Sequence, residues 1–206
     1  MAVMEIGAVF AFVLGAVVGS FLNVCIWRIP QGLCIITPPS HCPACGHPVR
    51  FYDNIPLVSY LILKGRCRSC GARISPRYPL VEGLTALMAL FLFWKFGPTL
   101  KFFSAFIFVS ALILITFIDI DHQIIPDLIT LPGIPLCFLM AVFVMGLSFK
   151  EALLGLLIGG GSLYLIAVLY ELATKREGMG GGDIKLLAML GAFLGWKSLL
   201  FILLVS

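Results

Sequence analysis

The chain has 206 residues, of which 61% are hydrophobic and only 12% are charged. A soluble domain carries about 25% charged residues, so this composition excludes an ordinary water-soluble fold and makes the lipid bilayer the main solvent. The formal net charge is +4 at pH 7, and anionic lipid headgroups explain this excess more simply than nucleic acid does. We therefore predict an all-α polytopic membrane protein.

The apolar stretches predict about seven membrane segments, judged against the roughly 20 residues that a helix needs to cross the hydrocarbon core. The segments are approximately 6–27, 79–96, 100–118, 128–147, 152–172, 184–194 and one that begins at residue 199. The first has a weak basic start and no small-residue cleavage site, so we expect a retained helix rather than a removed signal peptide. The last segment is still apolar at Ser206, and we expect the natural chain to continue.

Basic residues predict the orientation of the chain in the membrane. Half of the 14 Lys and Arg residues fall in the polar stretch 28–78, which the positive-inside rule places in the cytoplasm, with the N-terminus outside. Counting the crossings from there puts two later loops on the same cytoplasmic face. These are the loop 119–127 and the loop with the basic pair Lys175 and Arg176.

Two Cys-x-x-Cys pairs in the polar stretch predict a metal site. They are Cys42 with Cys45 and Cys67 with Cys70, and each pair is followed at once by glycine. This spacing is close to that of a zinc ribbon, in which four thiolates surround one Zn²⁺ ion. Two disulfides or a redox pair are the alternatives, but a cytoplasmic face keeps thiols reduced and two spaced pairs suit a metal better. We call residues 30–78 the cysteine module, and we expect structural zinc to supply much of its folding free energy.

Asp119 and Asp183 adjoin strongly apolar segments and are the candidate catalytic residues. An ionisable group at a membrane boundary is costly, which makes it a functional candidate. Asp119 closes one predicted helix, whereas Asp183 follows three glycines and begins another. The helix dipole favours the ionised form of Asp183 and disfavours that of Asp119, and repulsion within a close pair leaves one carboxyl protonated. Such a pair can activate water for peptide hydrolysis, and two unrelated helix-end residues are the alternative.

Three neighbouring charges have simpler expected roles. Asp127 follows Pro126 at the start of a predicted helix, so we expect it to cap that helix. We expect Asp121 to be a solvated loop charge near the site, and a carboxylate that supports the catalytic residues is the alternative. Lys185 lies on a different face of its helix from Asp183, and we interpret it as an interfacial anchor.

Two other classes of protein fit parts of this pattern. A transporter or channel needs polar groups near the bilayer midplane, whereas the acids here cluster at predicted helix ends. A zinc-binding membrane adaptor without catalysis leaves the glycine run before Asp183 unexplained. A membrane peptidase accounts for more of the sequence.

A series of short motifs runs along nearly the whole chain. They are Gly19–Val24, Cys42–Gly46, Asp53–Pro56, Gly65–Gly71, Arg77–Glu82, Asp119 with Pro126 and Asp127, and Gly180–Asp183. Their identity and order resemble the bacterial type IV prepilin peptidases, a family of membrane aspartic proteases of the GxGD kind. The resemblance implies that Asp119 and Asp183 are the catalytic pair. It divides the chain into a first transmembrane helix (1–29), the cysteine module and a peptidase core (79–206).

The resemblance also implies substrates and a second activity. The family's substrates are prepilin and pseudopilin precursors of type IV pili and type II secretion, whose basic leader is cut at the cytoplasmic face of the inner membrane. Similar bacterial members methylate the new amino terminus with S-adenosylmethionine, and their cysteine-bearing region is implicated. Glu82 is a candidate for this step because its carboxylate could bind an amine, and a carboxylate at a helix start is the alternative. The family usually has a complete seventh and an eighth helix, with which we expect the natural protein to continue.

Overall fold

The structure is a computed structural model that describes residues 2–175 and 180–205. Within these ranges every regular element is helical, and only isolated bridges pair extended residues. The α-helices are α1 (Ala2–Arg28), α2 (Val58–Ile62), α3 (Arg77–Phe96), α4 (Leu100–His122), α5 (Asp127–Met140), α6 (Phe149–Thr174), α7 (Gly181–Leu194) and α8 (Trp196–Val205). The all-α prediction is confirmed. Arg176 of the predicted basic pair and Ser206 lie outside the described residues.

Five of these helices are long and apolar enough to cross a membrane. They are α1, α3, α4, α6, and α5 together with the π-helical stretch Ala141–Met145 that continues it. In contrast, α7 has 14 residues, or about 21 Å at 1.5 Å per residue, against a hydrocarbon core of about 30 Å. The prediction of several membrane helices is confirmed for five segments, and the count of seven stays a prediction.

Helix contacts divide the chain into two compact units, Met1–His122 and Gln123–Ser206. In the first unit, α1, α3 and α4 pack against one another. In the second unit, α7 packs against α5 and α6, and α8 packs against α6 and α7. The cysteine module belongs to the first unit, between two helices that contact each other.

Small residues at every fourth position of α1 allow α3 to approach closely. Ala11 is fully buried, and Gly15 and Gly19 follow it on the same helix face. A Cβ atom at Gly15 would lie 2.6 Å from the Cα atom of Ala86, and one at Gly19 would lie 2.7 Å from the Cα atom of Glu82. Only glycine fits at such separations, since carbon atoms normally pack about 3.5 to 4.0 Å apart. This contact holds Glu82 directly against α1.

In the second unit, glycines likewise allow α6 and α7 to pack closely. A Cβ atom at Gly155 would lie 2.1 Å from the carbonyl oxygen of Gly191, and one at Gly159 would lie 2.4 Å from that of Leu187. Both α6 glycines are buried. The contact fixes the position of α7, which carries Asp183 in its first turn.

Candidate active site and metal centre

The four cysteines of the predicted metal site come together in the first unit. Their sulfur atoms all lie within 4.8 Å of one another, and the Sγ atoms of Cys42 and Cys70 are 3.9 Å apart. A tetrahedral site with Zn–S distances of about 2.3 Å has sulfur atoms about 3.8 Å apart. All four cysteines are free thiols. The donor set and its spacing therefore fit one tetrahedral metal ion.

Each cysteine pair lies in a tight turn with the same backbone bonds. The N–H of Gly46 donates to the carbonyl of Cys42 over 2.8 Å, and the N–H of Cys42 donates to the carbonyl of His47 over 2.9 Å. The second pair repeats both bonds at the equivalent positions. Gly46 and Gly71 have φ values of 68° and 72°, a region that glycine adopts without steric cost. The glycine after each pair is therefore part of the turn that gathers the thiols.

Hydrogen bonds within the cluster separate the pKa values of two thiols. The backbone N–H groups of Cys45 and then Ala44 point at the sulfur of Cys42 and lower its pKa from 9.0 to about 7. The N–H of Ala72 acts in the same direction on Cys70, but the thiol of Cys45 and partial desolvation outweigh it and raise the pKa of Cys70 to about 11. A metal binds the thiolate form, so its binding must release protons from such thiols.

An ion pair joins the second cysteine turn to the chain between the two turns. Arg68 donates from Nε to Oδ2 of Asp53 over 2.9 Å and from Nη2 to Oδ1 over 2.6 Å. The hydrogen bond to Arg68 lowers the pKa of Asp53, and the same bond raises the pKa of Arg68. The guanidinium carbon of Arg68 also lies 5.5 Å from the ring centre of Tyr52. Sequence reasoning missed this pair, although both residues lie in the quoted motifs.

Glu82 is a buried carboxylate that holds the turn before α2. Its side chain accepts a 2.8 Å hydrogen bond from the N–H of Leu57, and the Ser20 hydroxyl is a second partner. Leu57 has a φ of 62°, which is uncommon for a residue other than glycine. Because α3 begins at Arg77 and Glu82 lies beyond its first turn, the helix-start explanation of Glu82 is wrong. Its carboxylate instead links α1, α3 and the cysteine module.

Asp119 lies exposed in the last turn of α4. Arg77, the first residue of α3, braces this helix end by donating from Nη2 to the carbonyl of Phe117 over 3.1 Å. The same guanidinium forms an ion pair with Asp121. The expectation that Asp121 is a solvated loop charge is therefore wrong, since it lies inside α4 and is paired. A cation here also offsets the unfavourable helix dipole around Asp119.

Asp183 lies exposed in the first turn of α7, as the sequence predicts. Its N–H donates to the carbonyl of Gly180 over 3.2 Å, which closes the turn after the glycine run. A Cβ atom at Gly182 would lie 2.8 Å from the Cβ atom of Ile125. The absence of a side chain at Gly182 thus lets the start of α7 approach the chain before α5.

A second contact between these two helix starts corrects one expectation. The residue before α5 is Pro126, no side chain caps this helix, and Asp127 is its first residue. Instead, Oδ1 of Asp127 forms an ion pair with Nζ of Lys185 over a distance of 2.6 Å. Asp127 therefore does not act as the expected cap. Lys185 is its ion-pair partner, and the expected role of Lys185 as an interfacial anchor stays a prediction.

The two candidate catalytic aspartates belong to different units. Asp119 is in Met1–His122 and Asp183 is in Gln123–Ser206, so each carboxylate is described here by its own surroundings. Both are exposed, and both lie within two residues of an ion-paired side chain of the same helix. Their action as a pair stays a prediction.

These features define a class: a helical membrane protein with a four-thiol module and exposed aspartates at helix ends. Two family models match the chain in succession, the Bacterial Peptidase A24 N-terminal domain over residues 13–96 and the Type IV leader peptidase family over residues 106–206. The chain belongs to the type IV leader peptidase family. The family resemblance predicted from the sequence is confirmed.

Curated relatives carry the name prepilin leader peptidase/N-methyltransferase. The chain is 47% identical to the one from Myxococcus xanthus over 97% of its own length and 59% of that relative. It is 42% identical to the one from Pseudomonas aeruginosa, over 94% of its own length and 74% of that relative. It is 39% identical to the one from Neisseria gonorrhoeae, over 95% of its own length and 77% of that relative. The chain thus spans between about three fifths and three quarters of these relatives. No solved structure matches it.

Proposed function

We propose that this chain is a prepilin leader peptidase that also N-methylates the amino terminus it creates. The observation that carries the proposal is the match to a relative of that name at 42% identity over 94% of the chain. The order of the two family models along the chain supports it as well. The substrates are type IV prepilins or pseudopilins, which have a short basic leader followed by a hydrophobic helix.

Asp119 and Asp183 are the catalytic carboxylates in this proposal. In this mechanism one carboxyl of the pair is ionised and the other is protonated, because two adjacent carboxylates repel each other. The ionised carboxylate takes a proton from water, and that water attacks the scissile carbonyl carbon. The protonated carboxyl donates a hydrogen bond to the developing oxyanion. The peptide C–N bond then breaks, and the leaving amine gains the proton that the first carboxylate took from water. No covalent intermediate with the protein forms.

The four cysteines hold structural zinc in this proposal. The sulfur spacing of the cluster fits Zn²⁺, and no open coordination position remains once four thiolates bind. The ion would join Cys42, Cys45, Cys67 and Cys70, and so would tie the two turns of the cysteine module together. Its contribution is to folding rather than to peptide hydrolysis.

We assign the methylation to the Met1–His122 unit. The N-terminal family model ends at residue 96, before the peptidase model begins, which supports a separate location for the second activity. The methyl donor in this proposal is S-adenosylmethionine. Glu82 is the candidate residue for methyl transfer. Because its carboxylate already binds Leu57 and Ser20, we propose that it positions the cysteine module rather than contacting the amine.

The orientation follows from the distribution of basic residues. The N-terminus lies outside the inner membrane, and the cysteine module and both aspartates lie at the cytoplasmic face. This places the carboxylates where a basic leader meets the hydrophobic helix of a precursor. The bilayer holds both enzyme and substrate, so the reaction takes place between two membrane proteins.

The test is a reconstituted reaction with the full chain in lipid vesicles and a synthetic prepilin. Mass spectrometry of the product should show loss of the leader, and addition of S-adenosylmethionine should add the mass of one methyl group to the new amino terminus. Leaders of the family's precursors end in glycine, and a pilin with a bulky residue in place of this glycine is the matched control substrate. Intact precursor after reaction with folded wild-type protein would contradict the proposal.

A further inference from the structure

Arg28, the last residue of α1, is a buried cation with neutral partners. The residue is only 5% exposed. Its Nη1 donates to the carbonyl of Cys34 over 2.9 Å, and its Nη2 donates to the carbonyl of Pro38 over 2.6 Å. Among the described residues, four other basic side chains form ion pairs with carboxylates and Arg28 does not. A buried charge without a counter-charge is costly, so the surroundings of Arg28 suit an anion.

A cavity adjoins this residue. It has a volume of about 360 Å³ and is lined along α1 by Val17, Phe21, Val24 and Arg28. Ser40 and Asn54 of the cysteine module contribute a hydroxyl and an amide to its wall. The size lies within the range of small-molecule sites, which is about 300 to 1,000 Å³. A guanidinium has five N–H donors, of which the two carbonyls occupy two, so donors remain for a ligand oxygen.

The side chains around the cavity have the character expected at the boundary between hydrocarbon and headgroups. Val17 and Phe21 are 52% and 50% exposed on a helix that is long and apolar enough to span the bilayer. Trp27 beside Arg28 is 49% exposed, as is typical of an aromatic residue at the membrane interface. At 1.5 Å per residue, Val17 and Arg28 are about 16 Å apart along α1. Apart from Ser20, the wall that α1 contributes is thus apolar up to its cationic end at Arg28.

We propose that this cavity binds one anionic phospholipid. The phosphate lies against Arg28, with Ser40 and Asn54 as further hydrogen-bond donors, and one acyl chain follows Val17 and Phe21. Charge complementarity selects an anionic headgroup, because the guanidinium has no carboxylate partner in the described residues. A soluble ligand would bury few of the exposed apolar side chains that continue the cavity along α1. The proposal does not depend on the catalytic aspartates or on methyl transfer.

The test measures lipid-dependent thermal stability of the full-length protein in a neutral detergent. Phosphatidylglycerol should raise the unfolding midpoint of the wild type well above the value with the same amount of phosphatidylcholine. Arg28→Gln should remove this difference and weaken phosphatidylglycerol binding about tenfold, as expected for the loss of one charge-assisted hydrogen bond. Arg73→Gln is the matched control, because Arg73 is an exposed arginine of the same module and its loss changes the net charge equally.

A second variant guards against loss of folding in Arg28→Gln. Ser40→Trp fills the cavity and leaves Arg28 and both carbonyl acceptors in place, so it should also abolish the preference for phosphatidylglycerol. An unchanged preference in Ser40→Trp, or in a folded Arg28→Gln variant, would overturn the proposal. S-adenosylmethionine is tested in place of lipid. If it raises the midpoint in an Arg28-dependent way and phosphatidylglycerol does not, the cavity belongs to the methyl donor and the lipid assignment is wrong.

Discussion

At the scale of single residues, Arg77 supplies a positive charge close to the candidate catalytic residue Asp119. It lies at the start of α3, pairs with Asp121 in the last turn of α4, and donates to the carbonyl of Phe117 just before that turn. A helix C-terminus disfavours nearby negative charge, and Asp119 lies in that turn. Arg77 therefore stabilises the end of the helix that presents Asp119.

We expect Arg77→Met to lower the free energy of unfolding by about 1 kcal/mol, because a half-exposed ion pair and one carbonyl contact are lost. It should also reduce cleavage, since the last turn of α4 is no longer held. Chemical denaturation in detergent and the cleavage rate provide the two measurements. Arg73→Met, an exposed arginine outside every ion pair of the described residues, is the control. If both substitutions changed stability and cleavage equally, Arg77 would not specifically stabilise the end of α4.

At the scale of elements, the cysteine module depends on two turns that are nearly identical in their backbone bonds. Cys42→Ser or Cys67→Ser should lower the zinc content of the purified protein and make the module easier to cleave with protease, since each removes one of four ligands. Cys34→Ser is a matched control, because Cys34 is an exposed cysteine outside the cluster. Zinc content measured by atomic absorption should stay at one per chain in the control. Equal zinc in all three variants would contradict the metal site.

The contact between α6 and α7 gives a second prediction at this scale. Gly155→Ala places a methyl group 2.1 Å from the carbonyl oxygen of Gly191, so the helices must separate, at a cost of about 1 to 3 kcal/mol. Gly161→Ala introduces the same methyl group on the same helix where no atom lies within 4 Å. It should be neutral or stabilising by up to about 1 kcal/mol. The unfolding midpoints of the two variants decide between these outcomes, and a similar loss in both would argue against close packing at Gly155.

At the scale of the whole molecule, the sequence predicted what local signals encode. The first five membrane segments follow from runs of apolar residues, and the cysteine cluster follows from two short spacings with their glycines. The starts of α5 and α7 also agree with the sequence, because Pro126 and the glycine run before Asp183 mark them directly. In contrast, α4 continues past Asp119 to His122.

The ion pairs beside the aspartates could not be predicted in this way. Arg77 and Asp121 are 44 residues apart, and Lys185 and Asp127 are 58 apart. Their contact depends on how helices pack, which periodicity and propensity do not encode. The cap expected at Asp127 failed for this reason, because a cation from α7 competes with the backbone N–H groups for the same carboxylate. The contacts of Glu82 are likewise not encoded locally, since its partners Leu57 and Ser20 come from two other segments.

The central claim is that Asp119 and Asp183 together carry out peptide hydrolysis, and it is tested most directly by cleavage of a synthetic prepilin. The full-length wild type and the Asp119→Asn, Asp183→Asn and Asp127→Asn variants are compared in lipid, with folding checked by thermal unfolding. Asp127→Asn is the control, since Asp127 is an exposed aspartate in the first turn of its helix, as Asp183 is. We predict that the first two variants fold and lose cleavage by at least about a thousandfold, and that the control retains most of it. Cleavage near the wild-type rate by a folded Asp119→Asn or Asp183→Asn variant would contradict the account.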